Sequence, residues 1–150
     1  MKIAIGSDHR GIQVKEKLID ILQNAGNSVE DCGTNSEDSV DYPDIASAVA
    51  TSVSKGDSDR GILICGTGIG MAITANKVHG VRAATCNDNF STEMCRRHND
   101  VNVLCLSGDL VGERPLDDMI QIFLDTAFEG GRHARRLEKI AALENQESNS

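Results

Sequence analysis

Gly61-Ile62-Leu63-Ile64-Cys65-Gly66-Thr67-Gly68-Ile69-Gly70 reads as a buried strand that ends in a cysteine and turns through glycines into a helix. An unbroken apolar run of this length belongs to a strand covered on both faces, as in a parallel sheet. The turn after it sets backbone N–H groups around the Cys65 thiol at a helix N-terminus. Negative charge is favoured there, and a thiolate is stabilised. A base and an oxyanion site would then lie within one turn of each other. The competing reading makes Cys65 a small buried hydrophobe and the glycines a tight turn. Residues elsewhere in the chain decide between the two.

Outward from this stretch, strand and helix patterns alternate. Lys2 to Gly6 is a short apolar strand. Val14, Leu18, Ile21, Leu22 and Ala25 then recur at helical spacing up to Gly26. Ser28 to Asp31 reads as a second strand. Pro43 opens a helix carrying Ile45, Val49 and Val53 on one side and ending at Gly56. A helix over Gly68 to Val78 follows the third strand. Arg82 to Cys86 is a fourth strand, Phe90 and Met94 mark the next helix, and Asn102 to Leu106 is a fifth strand. Pro115 starts an amphipathic helix with Leu116, Met119, Ile120, Phe123, Leu124 and Ala127 facing inward. The pattern predicts an α/β fold: one three-layer αβα, Rossmann-like domain over 1–143, with a five-stranded parallel sheet between helices. A last helix after Gly130-Gly131 carries Leu137, Ile140, Ala141 and Leu143 with no strand to follow. Its apolar side must dock on its own domain or on a partner subunit. Residues 144–150 are polar and read as a frayed tail.

The net charge of -8 argues against nucleic acid or an anionic membrane as partner. With aromatics at 3% and no Trp, stacking on bases or sugar rings is not expected to drive binding. The five cysteines form no C-x-x-C pair, no apolar leader follows Met1, and no run is long enough to span a bilayer. Reduced thiols and a cytoplasmic location follow as expectations.

In open parallel sheets, ligands bind beyond the carboxyl ends of the strands. Those ends carry Ser7-Asp8-His9, Cys65 with its glycine turn, Asn87-Asp88 and Ser107-Gly108-Asp109. Asp8 and His9 serve equally well as a helix cap and its neighbour. Arg96 and Arg97 close the fourth helix, where cations suit the dipole; His98 beside them is of the one residue type suited by its chemistry to proton transfer near neutral pH. Arg132 and Arg136, four residues apart, share a helix face and could grip a phosphate, or they could be a solvated charged face.

Ser7-Asp8-His9-Arg10-Gly11, Asp41-Tyr42-Pro43, Ile64 to Gly70, Ala75-Asn76-Lys77, Arg97-His98-Asn99-Asp100 and Gly130-Gly131-Arg132-His133 fall in one order. From Lys2 to about Leu143 the chain resembles the type B ribose-5-phosphate isomerase family, in the wider group of galactose-6-phosphate and allose-6-phosphate isomerases. The resemblance implies interconversion of ribose 5-phosphate and ribulose 5-phosphate in the pentose phosphate pathway, through a cis-enediolate, with no metal or organic cofactor. It implies catalytic roles for Cys65 (proton transfer between C1 and C2), His98 (ring opening, with Asp8 nearby) and Thr67 (steadying the oxyanion with the N–H groups of Gly66, Gly68, Ile69 and Gly70). His9, Tyr42 and Asn99 match substrate-binding positions, and Arg132 and Arg136 match phosphate ligands. It further implies a homodimer, open to pairing into a tetramer, in which His98 and the C-terminal arginines serve the neighbouring subunit's site. One departure stands out: Asp109 lies where the family usually has an arginine that contacts phosphate. Either Asp109 points away and Arg114 or Arg10 substitutes, or the substrate differs.

Three other functions compete. A 6-phosphorylated hexose could use the same groups. A dinucleotide-binding oxidoreductase would explain Gly66-x-Gly68, but Met71 stands where a third glycine belongs. A non-catalytic sugar-phosphate sensor would keep the arginines without needing Cys65 and His98.

Overall fold

The computed structural model describes residues 1–110 and 116–148, in which five strands alternate with helices. They are β1 (Lys2–Ser7), α1 (Ile12–Asn24), β2 (Ser28–Asp31), α2 (Tyr42–Ser54), β3 (Arg60–Cys65) and α3 (Ile69–Ala75). After these come β4 (Ala83–Thr85), α4 (Asn89–Asn99), β5 (Val103–Ser107), α5 (Leu116–Asp125) and α6 (Arg132–Ser148). All pairings are parallel, in the order β2-β1-β3-β5-β4. β3 is therefore the central strand, flanked by β1 and β5, and its end meets the ends of both.

The strands alternate between two cores. Ile3, Ile5, Ile62, Ile64, Leu104 and Leu106 meet α1, α4 and α5 on one face. Ala4, Leu63, Cys65, Val103 and Cys105 meet α2 and α3 on the other. Small residues on the second face let α2 come close. A Cβ on Gly6 would lie 2.5 Å from Ile45 Cγ2, and one on Gly61 would lie 2.7 Å from Val49 Cγ1.

Phe90 and Met94 do lie on a helix, α4, where Phe90 is 72% exposed and Thr92, Cys95 and Arg96 are buried. Two expectations change, and one falls outside the described residues. Ala25 and Ala127 are exposed, because α1 and α5 end before reaching them. Residues 144–148 are not a frayed tail but continue α6, where the Glu144 carboxylate accepts from Gly80 N at 3.1 and 3.2 Å. Pro115, read as the start of α5, lies outside the described residues, as does Arg114.

Lys15 is fully buried, one position off the apolar stripe of α1. Its ammonium donates to Asp31 at 2.9 and 3.0 Å, to the Thr34 carbonyl at 2.7 Å and to Asn35 Oδ1 at 2.7 Å. It thereby fixes the segment after β2, which in turn pairs with the end of β1: Ser7 N donates to Gly33 O at 2.6 Å and Thr34 N to Ser7 O at 2.7 Å. Removing one partner of a buried pair leaves the other uncompensated, although Asp31 keeps some contact with water. Lys15→Met is expected to lower unfolding free energy by about 2–3 kcal/mol in urea denaturation; a change within about 0.5 kcal/mol would show that the ammonium is not holding this segment.

Candidate active site

Each strand end supplies one wall. At β1, Asp8 is buried and its backbone N donates to Ile64 O at 3.0 Å, so the β1 turn is fastened to β3. Asp8 does not cap α1. Gly11 takes that position, and Asp8 Oδ1 accepts from Arg10 N at 2.9 Å. At β3, Cys65 is 5% exposed, and its sulfur accepts a hydrogen bond from Gly68 N at 3.1 Å. Gly68 has φ of 79°, and a Cβ there would meet the Leu106 backbone at 3.0 Å, so only glycine can aim its N–H at the sulfur. At β5, Gly108 N donates to Cys65 O at 2.7 Å and Ser107 Oγ donates to Gly66 O at 2.6 Å.

The β1 and β3 ends, with Tyr42 and α3, line a cleft of about 440 Å³ formed by Asp8, Arg10, Tyr42, Cys65, Gly66, Thr67, Ile69, Gly70 and Ile73. The Tyr42 ring lies where a Gly70 side chain would be: a Cβ there would sit 2.6 Å from its Cζ. Thr67 Oγ1 accepts from Ile69 N at 3.2 Å, which fixes the hydroxyl oxygen at the start of α3. A hollow of about 360 Å³ adjoins across Gly66, Thr67 and Ile69, with Asn87, Ser107 and Asp109 on its far wall. His9 faces a third hollow, of about 410 Å³, beside Arg10 and Gly108. His9 Nδ1 accepts from Val40 N at 3.3 Å, which leaves Nε2 as the ring's donor.

Of the residues singled out by sequence, Asp8, Tyr42, Cys65, Gly66, Thr67, Ile69 and Gly70 share one cleft, Gly68 serves its sulfur, and His9 is next door. His98, Asn99, Arg132 and Arg136 line none of these three hollows. They gather instead where α4 meets α6. His98 stacks on His133 with centroids 4.2 Å apart and planes 9° from parallel. His133 is buried, and its pKa is lowered by burial first and then by His98 and Arg132. Glu129, whose pKa is lowered by its hydrogen bond from Arg97, approaches His133 Nε2 at 3.4 Å. Ligand atoms of His98, Glu129 and His133 lie within 4.8 Å of one another. The stacked rings, however, send their in-plane lone pairs side by side rather than toward one centre, and Glu129 is committed to Arg97 at 2.6 Å. Arg132 and Arg136 are exposed and bond to no described residue.

The other cysteines are framework. Cys86 and Cys105 are buried in the core, and burial pushes the Cys105 pKa up so that it stays a thiol. Sequence reading missed His133 as the ring that seats His98, because the two belong to different helices and share no spacing. It also left the Arg10–Asp109 contact unassigned.

Comparison with known proteins places the chain in one family. The family described as Ribose/Galactose Isomerase matches residues 3–140. Ribose-5-phosphate isomerase B of Escherichia coli (strain K12) is 44% identical over 143 residues, covering 95% of this chain and 96% of that one. The structure of Clostridium thermocellum ribose-5-phosphate isomerase B aligns with a TM-score of 0.92 at 46% identity, over 97% of this chain and 99% of that one. A Mycoplasma genitalium ribose-5-phosphate isomerase B, solved with bound ribulose 5-phosphate, aligns with a TM-score of 0.90 at 42% identity, over 96% of each chain.

The His133 environment fixes a pH dependence. Its folded pKa lies below the unfolded value, so the unfolded chain binds the proton first as pH falls. Stability from this residue is complete above about pH 6.5 and declines below it. Hydrogen exchange in α6 is expected to gain protection loss between about pH 7 and pH 5, a step that His133→Asn removes. The same step in that variant would assign it to another group.

Proposed function

Since the chain belongs to the ribose/galactose isomerase family, we propose that it interconverts ribose 5-phosphate and ribulose 5-phosphate through a cis-enediolate, within carbohydrate metabolism. The observation that carries this reading is the Cys65 sulfur. It accepts Gly68 N at 3.1 Å at the wall of a cleft that also presents Thr67 and the start of α3.

The chemistry then runs as proton transfer. With the sugar ring open, the Cys65 thiolate takes the hydrogen from C2. The C2–H electron pair becomes the C1–C2 double bond, and charge moves onto the C1 oxygen. Thr67 and the N–H groups of the Gly66–Gly70 turn stabilise that oxygen where charge develops. The thiol then returns the proton to C1 as the C1–C2 double bond opens, the C2 hydroxyl proton passes to the C1 oxygen, and the C2 oxygen becomes the carbonyl of the ketose. His98 opens the ring with help from Asp8, and Asn99 and His9 orient hydroxyl and phosphate groups.

His98, Arg132 and Arg136 reach this chemistry from a second copy of the chain. Each chain carries both halves, the cleft at the strand ends and the cationic corner at α4–α6. The groove of about 510 Å³ between α6 and the β4–α4 edge, lined by Leu137, Ile140 and Leu143, marks apolar surface for the second copy to cover. Among the described residues no helix is long and apolar enough to cross a membrane. The proposed enzyme works in the cytoplasm, where its thiols remain reduced. No observation favours the hexose reading, and the Met71 that breaks the dinucleotide motif is buried in the core.

Cys65→Ala is expected to lower kcat by about 10²–10⁴-fold and to abolish solvent exchange of the C2 hydrogen, while ribose 5-phosphate still binds. Retained exchange, followed by NMR in deuterium oxide, would remove Cys65 from the reaction. Shared sites have their own signature. Refolding Cys65→Ala together with His98→Asn is expected to restore about a quarter of wild-type activity, because half of the dimers are mixed and each carries one intact site. Mixtures no more active than the separate variants would place both groups in one subunit's site.

A further inference from the structure

Arg10 stands apart from the other cations of the chain. Among the described residues it alone supplies a guanidinium or ammonium to the Cys65 cleft, and it also lines the His9 hollow. Its backbone N is tied to Asp8 Oδ1 at 2.9 Å, and its side chain lies over Gly66. A Cβ on Gly66 would sit 2.8 Å from Arg10 Nη1, 3.0 Å from Cζ and 3.3 Å from Nε. Gly108 makes room for the same residue, since a Cβ there would fall 2.8 Å from the Arg10 carbonyl oxygen.

The far edge of the guanidinium is held by Asp109, through a hydrogen-bonded ion pair at Nη2. Among the described residues this is the side chain's only bond, so Nε and Nη1 keep their donors. Both partners are about half exposed, and an ion pair in that setting contributes little to stability. Its consequence is orientation. Asp109 does not point away from the site; it sits behind Arg10 and leaves the opposite edge of the fork for an anion.

We propose that Arg10 is the residue by which the Cys65-bearing chain grips the phosphate monoester of its substrate, with Asp109 as the positioning residue. The inference rests on the sugar-phosphate isomerase reading and assigns a specific anchor within it. The phosphate is met by Nε and Nη1 of Arg10 and by His9 Nε2–H, while the sugar carbons extend along Gly66 and Thr67 toward the sulfur. The acid at position 109 is then no obstacle to a dianion, because its charge is spent on the arginine that lies between them.

Two readouts test this: competitive inhibition by inorganic phosphate during turnover, and protection of Cys65 by inorganic phosphate against alkylation with iodoacetamide. Arg10→Ala is expected to raise KM for ribose 5-phosphate and the phosphate inhibition constant together, by about 10–100-fold, with kcat changed by less than about 3-fold. Arg10→Lys recovers part of the loss, because it keeps the charge without the fork. Asp109→Ala raises both constants by about 3–10-fold in the wild-type background, yet lowers them when Arg10 is already Ala, because the acid then faces the phosphate unshielded. Constants within about 2-fold of wild type in Arg10→Ala would overturn the proposal. An Asp109→Ala effect of the same sign in both backgrounds would overturn the positioning role. A wild-type enzyme that isomerises normally, with Arg10→Ala kinetically the same as wild type, leaves the functional reading standing and removes this one. Arg10-dependent protection of Cys65 without any isomerisation does the reverse.

Discussion

Three carbonyl groups at the end of β3 fix the geometry on which the site depends. Ile64 O accepts from Asp8 N at 3.0 Å, Cys65 O from Gly108 N at 2.7 Å, and Gly66 O from Ser107 Oγ at 2.6 Å. Each ties the turn after the central strand to the turn after a neighbour. A buried carbonyl deprived of its donor costs about 1–3 kcal/mol, so the three turns cannot shift independently. The strands beneath are held by two apolar cores, and a close-packed interior transmits any displacement rather than absorbing it. Asp8, the sulfur and Asp109 therefore stay in register without depending on contacts among themselves.

Within that frame the glycines give their side-chain space to other groups. Gly68 gives it to the Leu106 backbone, and its positive φ turns an N–H toward sulfur. Gly70 yields to the Tyr42 ring and Gly66 to the Arg10 guanidinium. A Cβ at any of the three would push against backbone, phenol or cation. The turn is thus shaped by the groups that line the cleft, rather than by chain reversal alone.

Periodicity made the sheet and its helices legible, because burial on both faces writes itself into unbroken apolar runs. The cysteine–glycine turn was legible for a similar reason: a turn of this kind admits few residue types. What could not be read were contacts between elements. Lys15 looks like a solvated helix residue until Asp31, Thr34 and Asn35 are seen to surround its ammonium. Arg96 looks like a cation at a helix end until α4 is seen to turn it inward with Cys95. The stacking of His98 on His133 and the pairing of Arg10 with Asp109 join residues far apart in sequence, and no local pattern announces them. α6 outran its apolar pattern because its last part is fastened through Glu144 to Gly80, a polar contact that hydropathy does not register.

α6 bears on how the two halves of the site would come together. A helix of 17 residues is about 25 Å long. In the single chain, His133 is the one residue between Arg132 and Gln146 that is buried, while Ile140 and Leu143 are 49% and 64% exposed. Helices draw most of their stability from packing of an apolar face, so α6 gains from any surface that covers it. In the proposed dimer that surface is the second copy, and the same contact delivers Arg132 and Arg136 to a foreign cleft. A phosphate held by Arg10 of one chain and by those two arginines of the other would bridge the interface. Linkage then runs both ways: whatever free energy assembly adds to substrate binding, bound substrate must return to assembly.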